Sequence, residues 1–474
     1  MTSTPEAGGQ TADPTSMLLS RAYLVLLVVA AVVGVVVSLA AWSFLELVYQ
    51  TQQEAFHHLP SALGYSHGAP LWWSLPVLAI AGAIVAFAIV RLPGEGGHLP
   101  AEGLSVGGGP TRPITLPGVV LAGLASIGLG AVIGPEAPLI ALGAGLAVAA
   151  IGLARRPVPD QAVVVIASAG AFAALSLIFN SPIIAAVILI EATGLGGAKL
   201  PLVLLPGLLA AGIGSLVSIG MGSFTGLSTS AYSLGPLPLE NLARPDIGQF
   251  AWTIALSLAV ALVARLIMRG GLTTNAIVKP RLFIALPLAG VAVAGLAIAF
   301  SEASNKGVEE VLFSGQDQLP GLISKAGTWS LSALALLLVF KGIAYAISLG
   351  SFRGGPTFPA LFLGAAAGLM ASHLPDFPIA AAVPVGIGAA VASILRLPLS
   401  AIVLASLLAV KAGSGPEPLV IVGVVVAYLT TLVLTRRPAI VSPPASPGAE
   451  VGEPSADVQA GHLTPGVENV VEQG

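Results

Sequence analysis

Three features of the sequence predict an all-α polytopic membrane protein built from a duplicated unit with many broken helices. The first is scarcity of charge. Only 9% of the 474 residues are charged and 55% are hydrophobic, whereas a soluble domain carries roughly 25% charge and needs it to cover its surface. The second is the abundance of helix breakers: 57 Gly and 37 Pro make up about a fifth of the chain. Long straight helices avoid so many breakers. Inside a bilayer, broken helices persist where the freed backbone groups are buried in protein or line a watery cavity, and such ends are places to hold an ion. The third is an internal repeat.

The elements follow in order. Residues 1–17 are rich in Thr, Ser, Pro and Gly and read as a disordered tail. The apolar run 18–48 is too long for a signal peptide and reads as a retained span. Further runs lie at 71–92, 117–133, 138–153, 161–179, 182–195 and 200–221. A second series occupies 248–268, 283–300, 329–349, 359–374, 377–395, 398–412 and 418–435. Several are shorter than the roughly 20 residues of a perpendicular span, so tilted, partial or re-entrant helices are expected. The expected division is a first membrane repeat over 18–240, a second over 241–440, and a disordered tail over 441–474. Arg21, Arg436 and Arg437 favour the cytoplasmic side for both termini, hence an even number of crossings.

The repeat shows in two places. Residues 134–145 (GPEAPLIALGAG) correspond to 354–368 (GGPTFPALFLGAAAG), and alignment of Pro138 with Pro359 gives an offset of 221. Residues 169–190 resemble 385–406, with Pro182 against Pro398 at an offset of 216. Two pairs at nearly one offset argue for duplication over chance similarity of Ala/Gly/Leu-rich helices. Duplicated halves with Gly/Pro breaks at matching positions point to a midplane substrate site.

Composition also excludes. A net charge of −3 leaves no basic face for nucleic acid. With zero Cys, disulfides, thiolate metal sites and a Cys nucleophile are ruled out. The six scattered His form no HExxH pair, so neither metal nor other cofactor is expected. An intramembrane enzyme would need a nucleophile and base within the spans, and no His has a convincing companion. A cation transporter would want several acids at membrane depth, where Glu136 and Glu191 are the candidates.

Carboxylates inside apolar spans are functional candidates by default. Glu136 follows Pro135 and precedes Ala137-Pro138, a break just before a helix start. The positive end of that helix favours an anion; a carboxylate there either fills the anion position and leaves on protonation, or merely complements the dipole. Glu191 ends an apolar run and faces either an internal water path or the interface. His98, on a Gly-rich loop, is either a hydrogen-bonded loop residue or an imidazolium that draws anions. Lys341 either attracts anions or snorkels to an interface.

These residues resemble the CLC chloride channels and chloride/proton antiporters. Gly134-Pro135-Glu136-Ala137-Pro138 is similar to that family's Gly-(Lys/Arg)-Glu-Gly-Pro loop, and Gly355-Pro356-Thr357-Phe358-Pro359 to its Gly-x-Phe-x-Pro loop, with Phe displaced by one. Gly96-Gly97-His98-Leu99-Pro100 approximates Gly-Ser-Gly-Ile-Pro, and Phe179-Asn180-Ser181-Pro182 through Glu191 matches the segment leading to an acidic helix end. The resemblance runs from about residue 20 to 440. It implies a homodimer in the cell membrane, each subunit with two inverted halves whose short tilted helices converge on chloride or a similar small anion. Glu136 falls on the gating glutamate, and Gly97, His98, Ala137, Thr357, Phe358 and Ile440 on the anion path. The departures are Gly97 for a serine hydroxyl, with Ser105 as an alternative in a shifted register; Pro356, which lacks an N–H; Ile440 for a tyrosine; and Ala192 for the inner proton-transfer glutamate. Glu191, one residue earlier, would point about 100° away on a helix, so proton coupling is expected to be weak or absent.

Overall fold

The computed structural model describes residues 18–436 except 67, 105–110, 154–157, 195–196, 198–199 and 228–233. The described chain is helical, and each of the fourteen apolar runs carries a helix. The first half comprises α1 (Arg21–Gln53), α2 (Ser74–Arg91), α3 (Leu116–Gly128), α4 (Glu136–Leu153), α5 (Asp160–Ile178), α6 (Pro182–Thr193) and α7 (Leu200–Thr225). In the second half are α8 (Ile247–Val278), α9 (Leu282–Ser304), α10 (Leu319–Ser324), α11 (Leu331–Ser351), α12 (Thr357–Ala371), α13 (Ile379–Leu395), α14 (Pro398–Leu408) and α15 (Glu417–Thr435). Eight described stretches are long and apolar enough to cross a membrane, and five shorter apolar helices accompany them. The short ones are those the breakers predict.

Local chemistry sets the helix starts. Ser20 caps α1 by accepting from Tyr23 N–H, Ser181 caps α6 by accepting from Ile184 N–H, and Ser330 caps α11 by accepting from Ala333 N–H. Pro182 and Pro398 open α6 and α14 at a position whose N–H has no helical partner anyway.

The two halves meet through a backbone bridge. Gly134 N–H donates to the Gly355 carbonyl at 2.7 Å, and Gly355 N–H returns the bond to Gly134 at 2.6 Å, antiparallel. On either side, Val132 N–H donates to Ser348 Oγ and Arg353 N–H donates to Ser126 Oγ, both at 3.1 Å. Val132 and Arg353 are 221 residues apart and Ser126 and Ser348 are 222 apart. These paired bonds are what an inverted repeat produces about its axis. The same pairing recurs in the packing. Gly143 of α4 lies on the Gly170 carbonyl of α5, and Gly364 of α12 on the Gly386 carbonyl of α13. A Cβ at any of the four would strike backbone, so small residues here permit the close crossing.

Candidate functional site

The site lies where α4 and α12 begin, beside the glycine bridge. Pro135 ends the extended segment and Glu136 takes the first position of α4, with its side chain crossing to the other half. The Phe358 N–H, at the start of α12, donates to Glu136 Oε1 at 3.0 Å. Glu136 is 1% exposed, and its Oε2 is buried without a hydrogen-bond partner. Oε2 lies over Gly134 and Gly355, where a Cβ on either residue would occupy the space of the carboxylate. The two glycines therefore form a seat for one charged side chain. One oxygen is held and the other is not, an unfavourable state for a buried charge.

The helix start of α12 is braced from below. Phe358 stacks on Phe179, with ring centroids 5.7 Å apart and planes 12° apart. Thr357 is buried beside the Glu136 carboxylate. The fully buried Tyr345 of α11 donates its hydroxyl to the Pro356 carbonyl. Pro356, with no N–H of its own, thus contributes an oriented acceptor.

A cavity of about 640 Å³ adjoins this seat, and Gly97, His98, Arg112, Ala137, Arg353 and Gly354 share its wall. Ala137 follows Glu136, so the cavity reaches the base of α4. The loop before it is built by glycine: Gly94, Glu95, Gly96 and Gly97 have φ of 85°, 51°, 71° and 103°, a run side chains rarely adopt. Within it, His98 Nε2 lies 3.0 Å from the Gly103 carbonyl, and Nδ1 is 3.7 Å from Glu102 Oε2. After Pro100 the chain makes a three-residue 3₁₀ turn, Pro100–Glu102. The structure thus brings Gly97, His98, Ala137, Thr357, Phe358 and Glu136 to one region. Ser105 and Ile440 lie outside the described residues.

Glu191 occupies a different place. At the end of α6 it meets the start of α14: Leu399 N–H donates to Oε1 at 2.8 Å, and Ser400 N–H and Oγ–H donate to Oε2 at 2.7 and 2.6 Å. It caps a helix of the other half. Lys341 neither snorkels nor faces the cavity. It is fully buried, its Nζ lies 2.9–3.3 Å from the carbonyls of Glu310, Val311, Leu312 and Phe313, and it sits 4.4 Å from the Phe362 ring centroid. Its role is to pin a turn. In that turn, burial pushes the Glu310 carboxyl above its ordinary range, opposed by the Lys341 charge. Sequence reasoning passed over Arg353 and Tyr345. A lone Arg beside Gly-Gly-Pro in so apolar a chain was the available signal.

A buried carboxylate shared between inverted halves, with a largely apolar cavity at its side that carries Arg112, Arg353 and His98 on its wall, fits a multi-pass ion-transport protein. Residues 77–432 match the family described as voltage gated chloride channel, and the chain belongs to that family. It is 30% identical over 367 residues to a candidate ion-transport protein, YfeO, of Escherichia coli O139:H28 (strain E24377A / ETEC), covering 76% of this chain and 82% of that protein. The fold is similar to a slow cyanobacterial Cl⁻/H⁺ antiporter (TM-score 0.70, 20% identity, 86% of this chain and 95% of the other). It is also similar to a CLC-type fluoride/proton antiporter (TM-score 0.63, 20% identity, 86% and 95%) and to a eukaryotic CLC transporter (TM-score 0.67, 17% identity, 88% and 73%).

Proposed function

We propose that this protein moves small monovalent anions, chloride first among them, through a pathway that Glu136 gates. The observation that carries this reading is the half-satisfied, buried carboxylate seated at the start of α12. A helix start that binds one anion can bind another, so a departing carboxylate leaves a position for the transported ion. Protonation removes the charge that holds the carboxylate at the Phe358 N–H. In this reading protons gate the protein without being exchanged in fixed ratio. Glu191 supports that part, because both of its oxygens are occupied in capping α14. Ala192 beside it carries no proton. The outward apolar side chains of Ile183 on α6 and Leu399 on α14 support a homodimer. Arg21 and Arg436 support cytoplasmic termini in a cell membrane.

The second reading is a proton-coupled chloride or fluoride antiporter, favoured by the similarity of the fold to a Cl⁻/H⁺ antiporter and to a fluoride/proton antiporter. Liposomes separate the two. Vesicles loaded with KCl should release chloride when valinomycin supplies a potassium path, and Glu136→Gln should lose most of the pH dependence of that release. Equal release without valinomycin overturns the anion-transport proposal, and an unchanged pH profile in Glu136→Gln overturns Glu136 as its gate. Sustained uphill proton movement driven by a chloride gradient under voltage clamp establishes the antiporter instead.

A further inference from the structure

Arg353 has donors to spare. Its backbone is fixed by Ser126, and its half-buried guanidinium lies on the cavity wall between the glycine loop and Gly354. Nε donates to the Glu95 carbonyl at 3.2 Å and Nη1 to the Phe352 carbonyl at 3.4 Å. A guanidinium has five N–H groups, so five less these two leaves three without a partner among the described residues. The ion pairs among the described residues are His58–Glu54 and His98–Glu102, neither of which uses Arg353. The carboxylates of Glu95 and Glu102 act on it from beyond ion-pair distance, and the Glu95 side chain is exposed. The left-handed run 94–97 offers Arg353 a carbonyl, which orients the fork without neutralising it. Gly96 leaves room for the arm: a Cβ there would come 3.4 Å from Arg353 Cγ.

A half-buried cation with no carboxylate within ion-pair distance among the described residues leaves room for an anion, and the cavity is where a counter-ion fits. Ala137 of the same wall follows Glu136, which places the cation beside the gate. We propose that Arg353 is a ligand for the transported anion, and that its fork makes the cavity bind planar oxyanions such as nitrate more tightly than halides. Guanidinium geometry supplies the preference, because paired N–H groups match two oxygens of one planar anion and a sphere uses them poorly. The inference deepens the anion-transport reading above and rests on it.

The test combines flux with binding. Purified protein in detergent is titrated with sodium nitrate and with sodium chloride while its thermal midpoint is followed, and the same anions are then compared in liposome flux. Wild type should bind nitrate more tightly than chloride. Arg353→Gln should raise the half-saturating concentration of nitrate about tenfold. Arg353→Lys, which keeps the charge and loses the fork, should cut the nitrate-over-chloride preference about threefold or more. Unchanged half-saturation in Arg353→Gln, or a lower midpoint and flux at unchanged half-saturation, overturns the proposal and leaves Arg353 as a brace for the 94–97 loop. Nitrate binding no tighter than chloride in wild type overturns it as well. If wild type passes no anion yet nitrate raises its midpoint and Arg353→Gln abolishes the rise, the transport reading fails and the Arg353 site stands.

Discussion

The two halves use one backbone scaffold and fill it differently. At the bridge, Ser126 and Ser348 make matching bonds to Arg353 and Val132, yet the second half adds a cation where the first has an aliphatic side chain. At the helix starts, Glu136 of the first half corresponds to Thr357 of the second, at the shared offset of 221. Each position alone is bland. Together they place a guanidinium from one half on the cavity wall and a buried carboxylate from the other one residue before that wall's Ala137. A strictly symmetric pair would set two carboxylates against each other at the bridge, where like charges repel. The proposed gate and the proposed anion ligand both lie where the repeat is broken.

The same lesson holds at α6 and α14. Ser181 caps its own helix, whereas the corresponding residue at an offset of 216 is Leu397, which cannot accept. Glu191 makes good the lack from across the molecule. Compared with Glu136, Glu191 is locked: both of its oxygens accept hydrogen bonds, whereas Glu136 Oε2 has no partner.

The largest effect is expected from breaking the seat of the Glu136 carboxylate. A Cβ in Gly355→Ala occupies the position of Glu136 Oε2, so the carboxylate must leave and flux should lose most of its pH dependence, as in Glu136→Gln. A full wild-type pH profile in liposomes would show that the seat does not hold the gate. Next comes a charge with no counterpart in the first half, where offsets of 221 and 222 reach Val120 and Val119. Lys341→Met leaves four carbonyls without their donor and should cost about 3 kcal/mol, read as a lower thermal midpoint in detergent, with anion half-saturation unchanged. The smallest effect sharpens the contrast between the two glutamates. Glu191→Gln should cost about 2 kcal/mol of stability while the pH profile of flux stays as in wild type. Leu397→Ser in that background should restore about 1 kcal/mol by giving α14 a cap of its own. A shifted pH profile in Glu191→Gln would instead make this residue part of a proton route.

The helices were legible because burial in lipid leaves a strong signal. Fourteen apolar runs and two pairs of repeated motifs place fourteen helices, since every spanning backbone group must bond within its own helix. Glu136 was legible too, as an acid between prolines. The mates of these groups were not. Nothing near Glu191 in sequence indicates that its partners lie 208 and 209 residues away. Lys341 bonds carbonyls, which every residue has, so no side-chain pattern announces its partners.

What the sequence determined by itself is therefore local: helix positions from apolar runs, helix starts from Ser and Pro, the glycine loop from residues that tolerate positive φ, and the duplication from its two offsets. The tertiary structure decided which charges are satisfied. Lys341 and Glu191 have their bonding capacity spent across the fold, while Glu136 Oε2 is left over in its glycine seat and three N–H groups of Arg353, among the described residues, on the cavity wall. The physical reason is that satisfaction of a buried charge depends on groups within about 3 Å in space, and inverted halves bring those groups together from opposite ends of the chain.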